Sequence, residues 1–302
     1  MFELIAAPHT PFNGAGELEL ETVAAQADHL RATGVTGVFV AGSTGEGISL
    51  TNAERKSLAE RWVEVGAGLR VIVQVGHGSP RESQDLARHA AEIGVDAIGA
   101  APPGWFPIQG AEELAATCAK IAAAAPGLPF LYYHIPSLSG VNVPMRDLLA
   151  IARDRIPNFA GVKYTHLDPL DFQACMREHG DDMQFLWGCD ELLISGLNLG
   201  AHGAVGSTYN FAAPLYHRLI EAHGAGELES ARELQSRAAL LVQTLAPFGY
   251  MAAAKTLMKF LGVDCGPVRL PLPNLSREDE SRLRKDLEEI RFFDWLREAT
   301  RA

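Results

Sequence analysis

The sequence predicts an α/β protein, a (β/α)8 barrel of the TIM type followed by a C-terminal helical extension. Three observations predict this fold class. Eight short apolar runs alternate with longer segments of helical periodicity, which is the pattern of a parallel sheet with crossover helices. The 302 residues, 47% of them hydrophobic, suffice for one large barrel core. No Gly-x-Gly-x-x-Gly turn follows the first run, which disfavours an open doubly wound sheet.

Each predicted strand is a short run rich in β-branched, aromatic or small apolar residues. The eight runs are Leu4–Ala7, Val38–Ala41, Val71–Val75, Ala97–Ala101, Phe130–Tyr133, Gly161–Tyr164, Phe185–Gly188 and Ala204–Gly206. Between them lie segments long enough for one helix each, with apolar residues at helical spacing. The clearest of these predicted helices are Glu17–Thr33, Ala53–Val65, Arg81–Ile93, Ala111–Ala124 and Met145–Arg155.

The ends of several predicted helices carry residues that favour a helix boundary. Thr51 or Asn52 is suited to cap the N-terminus of the helix that contains Glu54. At the other end of a helix, glycine is the residue best suited to the left-handed conformation that stops it. Such stops are predicted at Gly34, Gly94 and Gly127.

After Asn210 the alternation of strands and helices ends. Four consecutive predicted helices follow, at Pro214–Ala222, Glu227–Leu245, Met251–Leu261 and Ser276–Leu296. The barrel needs only the first of them to complete its eighth unit. Residues 1–222 are therefore predicted to form the barrel. Residues 223–302 are predicted to form a helical extension packed on it, with a proline-rich stretch before the last helix.

The composition disfavours several classes of partner. A net charge of −11 disfavours binding to nucleic acid and to anionic membranes. No apolar run reaches the roughly 18 residues of a membrane span, and the N-terminus lacks a basic leader, so a cytoplasmic protein is predicted. The cysteines show no Cys-x-x-Cys spacing and are predicted to be free thiols. They are Cys118, Cys175, Cys189 and Cys265.

In a barrel of this kind, functional side chains gather where the strands end. The ends of strands 2, 5, 6, 7 and 8 are Gly42–Gly47, Tyr132–Pro136, Lys163–Thr165, Gly188–Glu191 and Gly206–Asn210. Four histidines near strand ends lack cysteine or carboxylate partners at metal-ligand spacing, so no metal is predicted. They are His9, His77, His134 and His166. No dinucleotide fingerprint is present either, and no cofactor is predicted.

The residues at the strand ends allow two interpretations each. Lys163 ends an apolar strand, and its amine is either a nucleophile or extends to water at the barrel mouth. The Gly42–Gly47 loop is either a tight turn or a carboxylate site of two hydroxyls and backbone N–H groups. Tyr133 is either a core phenol or a proton carrier. Asp190 and Glu191 either cap the following helix or accept hydrogen bonds from sugar hydroxyls.

Four motifs together carry a resemblance to a known family. They are Gly42-Ser43-Thr44-Gly45-Glu46, Tyr133-His134-Ile135-Pro136, Gly161-Val162-Lys163 and Gly203-Ala204-Val205-Gly206-Ser207. In this order and on these strands, they resemble the pyruvate-dependent class I aldolases, the family of dihydrodipicolinate synthase and N-acetylneuraminate lyase. The resemblance covers essentially the whole chain, and it favours the catalytic interpretation of Lys163 and Tyr133.

Within that family, residues 132–141 resemble the lyase branch. Leu138 stands where synthases usually carry an arginine that grips the second carboxylate of their product, which a leucine cannot do. Synthases also place a tyrosine in the loop after strand 4, whereas residues 102–107 of this chain contain none. Both departures disfavour a synthase. The second is also a departure from bacterial lyases, which often carry that tyrosine.

The resemblance implies a role for each residue at the strand ends. Lys163 forms a Schiff base with the C2 ketone of a sugar acid. Tyr133 moves the proton to or from the C4 oxygen, which Thr165 orients. Ser43 and Thr44 hold the carboxylate. The polyhydroxy tail is bound by Gly188, Asp190, Glu191 and Ser207.

The lyase branch implies reversible cleavage of the sialic acid N-acetylneuraminate to N-acetylmannosamine and pyruvate, without a cofactor, by a homotetramer. One alternative is another aldolase of the family, acting on 2-keto-3-deoxy sugar acids or resembling dihydrodipicolinate synthase. The other is a non-catalytic homologue that binds a keto acid. Loss of the lysine or the tyrosine would favour the latter, and both are present at positions 163 and 133.

Overall fold

Eight parallel strands close into a barrel in the order β1 to β8, with helices between them and further helices after β8. The computed structural model describes residues 2–299. The strands are β1 Glu3–Ala6, β2 Gly37–Val40, β3 Arg70–Gln74, β4 Ala97–Ala100, β5 Phe130–His134, β6 Phe159–Tyr164, β7 Gln184–Trp187 and β8 Gly203–Gly206. The predicted fold class is confirmed.

The helices that surround the barrel follow its strands in alternation. They are α1 Thr22–Ala32, α2 Asn52–Val65, α3 Pro80–Glu92, α4 Ala111–Ala122, α5 Pro136–Ser139, α6 Met145–Arg155, α7 Pro169–His179, α8 Leu193–Asn198 and α9 Tyr209–Gly224. The helices that follow are α10 Leu228–Leu245, α11 Tyr250–Phe260, α12 Arg277–Glu289 and α13 Phe292–Ala299. The boundary predicted at residue 222 stays a prediction. Among residues 2–299, no helix combines the length and the apolar character that crossing a bilayer requires.

Two apolar clusters fill the fold, one inside the barrel and one between the strands and the helices. The inner cluster includes Phe39, Leu131 and Leu186, all fully buried. The outer cluster is larger, because helices cover the other face of every strand. Alternation along a strand sends successive side chains to opposite clusters. The four cysteines are buried and free, as predicted.

The register of β6 is set by a bulge just before its functional end. Phe130 pairs with Phe159 but Leu131 pairs with Gly161, so one residue of β6 is unpaired with β5. At Gly161 the φ is +155°, and an added Cβ would lie 1.9 Å from the Gln184 carbonyl oxygen. Only glycine fits this position. Beyond the bulge, Tyr133 of β5 faces Lys163 of β6.

The helix caps agree in part with the sequence. The Thr51 hydroxyl accepts the Glu54 N–H at 3.2 Å, and the Thr51 N–H donates back to the Glu54 carboxylate at 2.8 Å. This is a reciprocal capping box at the start of α2. Gly34 and Gly94 adopt the predicted left-handed conformation, with φ of +79° and +76°. Gly127 is not among the positive-φ residues, so the stop predicted there is wrong.

Three predicted helix boundaries are wrong for local reasons. Helix α1 begins at Thr22 rather than at position 17, because residues 17–19 pair with residues 11–13 in a short antiparallel bridge. Helix α9 begins before Pro214 and is kinked at Ala212. The predicted helix 276–296 is two helices, because Arg291 adopts a left-handed φ of +63° between them.

Candidate active site

Lys163 lies inside the barrel and is only 4% exposed. Its Nζ lies 3.6 Å from the centre of the Tyr133 ring and 4.4 Å from the centre of the Phe39 ring. Within residues 2–299 no carboxylate lies within ion-pair distance of this amine. The amine therefore does not extend to water at the barrel mouth, as one interpretation required. It is enclosed by aromatic faces, which attract a cation and leave its lone pair uncommitted when neutral.

Tyr133 connects the lysine to the loop after β2. Its ring is packed edge-on against Phe39, with 5.4 Å between the ring centres. Its hydroxyl lies 3.2 Å from the Ser43 hydroxyl, within hydrogen-bond distance. The side chains of β6, β5 and the loop after β2 therefore meet at one point. The sequence placed these residues at separate strand ends, and the barrel brings them together.

The Gly42–Gly47 loop is a tight turn closed by backbone hydrogen bonds, which do not involve the Ser43 and Thr44 hydroxyls. The Glu46 N–H donates to the Ser43 carbonyl at 3.0 Å, and the Gly47 N–H donates to the Gly42 carbonyl at 3.1 Å. Ala41 and Glu46 hold left-handed φ values of +55° and +52°, which is uncommon outside glycine and concentrates at functional sites. Ser43 is exposed and Thr44 half-buried. Both interpretations of the loop are thus compatible with its geometry.

A cavity of about 320 Å³ opens above Tyr133 and Ser43, within the range of small-ligand pockets. Its other walls come from the end of β3, the loop after β4, and the segment from the end of β5 into α5. They include Gln74, Pro102, Ile135 and Leu138. Lys163 is not among the residues that line this cavity, but its amine lies 3.6 Å from the centre of the Tyr133 ring, which does line it. Leu138 is 70% exposed and presents an apolar group at the cavity rim.

Thr165 and Gly188 form a second, adjoining part of the site. The Thr165 hydroxyl oxygen is buried and has no hydrogen-bond partner within the described chain. A Cβ at position 188 would lie 2.0 Å from that oxygen, so glycine is required there to leave space. Buried hydroxyls are nearly always hydrogen-bonded in native proteins. The Thr165 hydroxyl is therefore free to bond a ligand oxygen.

One carboxylate oxygen of Asp190 is hydrogen-bonded within the protein. One carboxylate oxygen accepts the Thr208 N–H and the Thr208 hydroxyl, each at 2.7 Å, and the Ser207 hydroxyl at 3.4 Å. Asp190 therefore caps the N-terminus of α9 rather than the helix that follows it in sequence. Burial raises the pKa of this carboxyl to about 6, although the bonds from Thr208 oppose the shift. Glu191 is half-buried.

The raised pKa of Asp190 predicts a pH dependence of stability. Between about pH 4 and 6 the folded protein holds more protons than the unfolded chain, so this contribution to stability is complete at low pH and lost as pH rises through 6. We expect the free energy of unfolding, relative to Asp190→Asn, to fall by on the order of 2 kcal/mol from pH 4 to 7. Urea denaturation at each pH measures it, with Asp181→Asn at an exposed position as control. A constant difference would contradict the prediction.

Several residues around the site were not predicted. Phe39 lies over the Lys163 amine, and the Tyr250 hydroxyl lies 2.7 Å from the Ser207 hydroxyl. Lys255 forms a buried ion pair with Glu46. The sequence could have indicated a buried ion pair at Lys255, because it is the one charged residue in the apolar run 251–258 and lysines are rarely buried unpaired. Nothing in the sequence indicated which strand-end loop it would reach.

Comparison with known proteins identifies the family. The model of the dihydrodipicolinate synthetase family matches residues 1–290. The N-acetylneuraminate lyase of Rattus norvegicus is 39% identical over 298 residues, which are 97% of this chain and 93% of that protein. The N-acetylneuraminate lyase of Gallus gallus is 39% identical over 293 residues, 95% of each chain.

Solved structures agree with these sequence relatives. Proteus mirabilis N-acetylneuraminate lyase superimposes with a TM-score of 0.94 at 38% identity, over 97% of this chain and 99% of that one. A Ruminococcus gnavus sialic acid aldolase, described as a catalytic lysine mutant, gives 0.92 at 33% identity, over 98% of this chain and 96% of that one. With a family match over nearly its whole length, this chain belongs to the dihydrodipicolinate synthetase family.

Proposed function

We propose that this chain is a class I aldolase that cleaves N-acetylneuraminate reversibly to N-acetylmannosamine and pyruvate through a Schiff base at Lys163. Its family and its named lyase relatives make it a carbon–carbon lyase. One observation carries the mechanistic part of the proposal. A buried amine, without a carboxylate partner among residues 2–299, lies 3.6 Å from the ring of a tyrosine whose hydroxyl is within hydrogen-bond distance of Ser43.

The chemistry follows from the proposed residues. Ser43 and Thr44 bind the carboxylate of the open-chain substrate, and the Lys163 amine adds to the C2 ketone with loss of water. The resulting iminium accepts the electron pair of the C3–C4 bond, while Tyr133 takes the proton from the C4 hydroxyl and the aldehyde leaves. The enamine then takes a proton at C3, and water hydrolyses the iminium to pyruvate. The covalent iminium is the electron sink for the bond that breaks.

The remaining site residues fit the same substrate. The unpartnered Thr165 hydroxyl, which a side chain at position 188 would obstruct, is suited to orient the C4 oxygen. Glu191 and Ser207 are partly accessible and suited to a polyhydroxy tail, and Asp190 holds Ser207 in place. Leu138 offers no charge for a second carboxylate at the cavity rim, which supports a lyase rather than a synthase.

Assembly and location are proposed from the resemblance. We infer a cytoplasmic homotetramer. Four large apolar side chains are more than two-thirds exposed on the loops around the barrel mouth, and apolar groups in such number favour burial between subunits. They are Ile48, Trp105, Phe106 and Leu138.

A substrate panel tests the proposed reaction. Pyruvate release is measured from N-acetylneuraminate and from 2-keto-3-deoxy sugar acids under identical conditions. We expect cleavage of the sialic acid with the highest kcat/KM. Cleavage of a shorter keto-deoxy acid without cleavage of the sialic acid would refute the substrate. A borohydride-reduced pyruvate adduct on Lys163 is expected in either case, and its absence would favour a non-catalytic keto-acid-binding protein.

A further inference from the structure

A buried ion pair connects helix α11 to the Gly42–Gly47 loop. The Lys255 Nζ lies 2.9 Å from Oε1 of Glu46, and the two side chains are 2% and 1% exposed. The same amine donates to the Pro267 carbonyl at 2.7 Å. The other carboxylate oxygen of Glu46 accepts the backbone N–H of Arg269 at 2.8 Å. Helix α11 and the segment that follows it thus contact the loop at Glu46.

The Lys255 amine also has an aromatic neighbour, and a neutral histidine lies near the pair. The Phe12 ring lies 4.3 Å from the Lys255 amine, and His9 is fully buried nearby. Burial, with a smaller contribution from Lys255, lowers the pKa of His9 to about 3, so its ring is neutral. Within residues 2–299, Glu46 is the carboxylate that forms the ion pair with Lys255. Removing either partner leaves a buried charge uncompensated.

The ion pair holds a residue whose backbone is strained. Glu46 has a left-handed φ of +52°, a conformation that costs energy outside glycine. Its backbone N–H closes the turn onto the Ser43 carbonyl at 3.0 Å. The neighbouring Gly47 is packed closely against the start of the loop, because a Cβ there would lie 1.9 Å from the Ala41 carbonyl oxygen. The turn hydrogen bond thus connects the position of Glu46 to that of Ser43.

We propose that Lys255 is a positioning residue for binding of the keto-acid carboxylate, because its pair with Glu46 fixes the loop that presents Ser43 and Thr44. The proposal rests on the proposed function for its ligand. It concerns a residue of the C-terminal helices that does not contact the substrate cavity. Its consequence is a specific loss of keto-acid affinity, with the chemistry at Lys163 intact.

Lys255→Met tests the proposal, since methionine keeps the length and removes the charge. Lys259→Met is the matched control, because it makes the same change on the same helix at an exposed pair with Glu280. Amide hydrogen exchange is followed in peptides covering residues 42–49, where the Glu46 and Gly47 amides are protected by the turn. Borohydride trapping across a pyruvate series gives the half-saturating concentration for the Lys163 adduct.

We expect Lys255→Met to accelerate exchange of these loop amides at least about tenfold, without change in the barrel strands. The half-saturating pyruvate concentration is expected to rise by about tenfold or more, while kcat at saturating substrate changes less than about threefold. Lys259→Met leaves both readouts unchanged. If Lys255→Met does not fold, Glu46→Gln removes the other charge of the pair and is expected to act in the same direction.

The outcomes separate this proposal from the proposed function. Unchanged loop exchange in a folded Lys255→Met protein overturns the positioning role. Faster exchange with unchanged half-saturation overturns the connection to carboxylate binding. A fall in kcat with no rise in the half-saturating pyruvate concentration also overturns that connection, since the substitution then affects the chemical step and not binding. Failure of the unsubstituted protein to form any adduct refutes the proposed function, while the exchange measurement still decides whether the pair holds the loop.

Discussion

Lys163→Met is expected to lower the turnover of N-acetylneuraminate to about one ten-thousandth or less, because the covalent intermediate can no longer form. Methionine fits the space enclosed by Phe39 and Tyr133 and needs no polar partner there. The folded protein is therefore expected to be at least as stable as the unsubstituted one. Pyruvate release, borohydride trapping and thermal unfolding measure the three effects.

The control for this prediction is the same substitution at an exposed lysine outside the barrel interior. Lys120 is exposed on α4, and Lys120→Met removes a charge without reaching the barrel interior. It is expected to retain full turnover and full trapping. Turnover within about tenfold of the unsubstituted protein in a folded Lys163→Met variant would rule out a Schiff-base mechanism at this residue, since loss of a covalent nucleophile costs far more.

Tyr133→Phe is expected to reduce kcat by about 10²- to 10⁴-fold, the usual contribution of a positioned proton-transfer group. The phenylalanine ring still covers the Lys163 amine, and only the hydroxyl that faces Ser43 is lost. The Schiff base with pyruvate is therefore expected to form and to be trapped by borohydride. Loss of turnover with retained trapping separates proton transfer from covalent bond formation.

Tyr132→Phe is the matched control, because the adjacent tyrosine points out of the barrel into the outer core. Tyr132 is fully buried there and belongs to the outer apolar cluster, whereas Tyr133 belongs to the inner one. The same atom is removed from the same strand, one residue away. We expect less than about a twofold change in kcat for Tyr132→Phe, as the substitution touches no reacting atom. Equal losses in the two variants would show that Tyr133 acts through packing.

The sequence predicted the elements of this fold better than it predicted their ends. Alternating apolar runs sufficed for eight strands, because each strand must bury both faces in a closed barrel. The start of α1 was missed because residues 17–19, within a segment of helical periodicity, pair with residues 11–13 instead. The break at Arg291 was missed because its left-handed backbone has no signal in a non-glycine residue.

The sequence predicted which residues form the candidate site but not the contacts among them. The strand-end rule of barrels selected Lys163, Tyr133 and the loop after β2, which the structure brings together. It could not reveal that Asp190 accepts a hydrogen bond from Thr208, because that bond joins the ends of two different strands. It also could not connect Lys255 to Glu46, since the two residues are separated by more than 200 positions in the chain.

Helix α11 reaches both rims of the barrel mouth, through Tyr250 to Ser207 and through Lys255 to Glu46. Because Tyr250 and Lys255 belong to the same helix, that helix sets the distance between the end of β8 and the loop after β2. A chimera that joined this barrel to the C-terminal helices of another aldolase would exchange both anchors in a single step. We therefore expect a chimera to keep full activity when the loop after β2, the end of β8 and α11 come from the same parent.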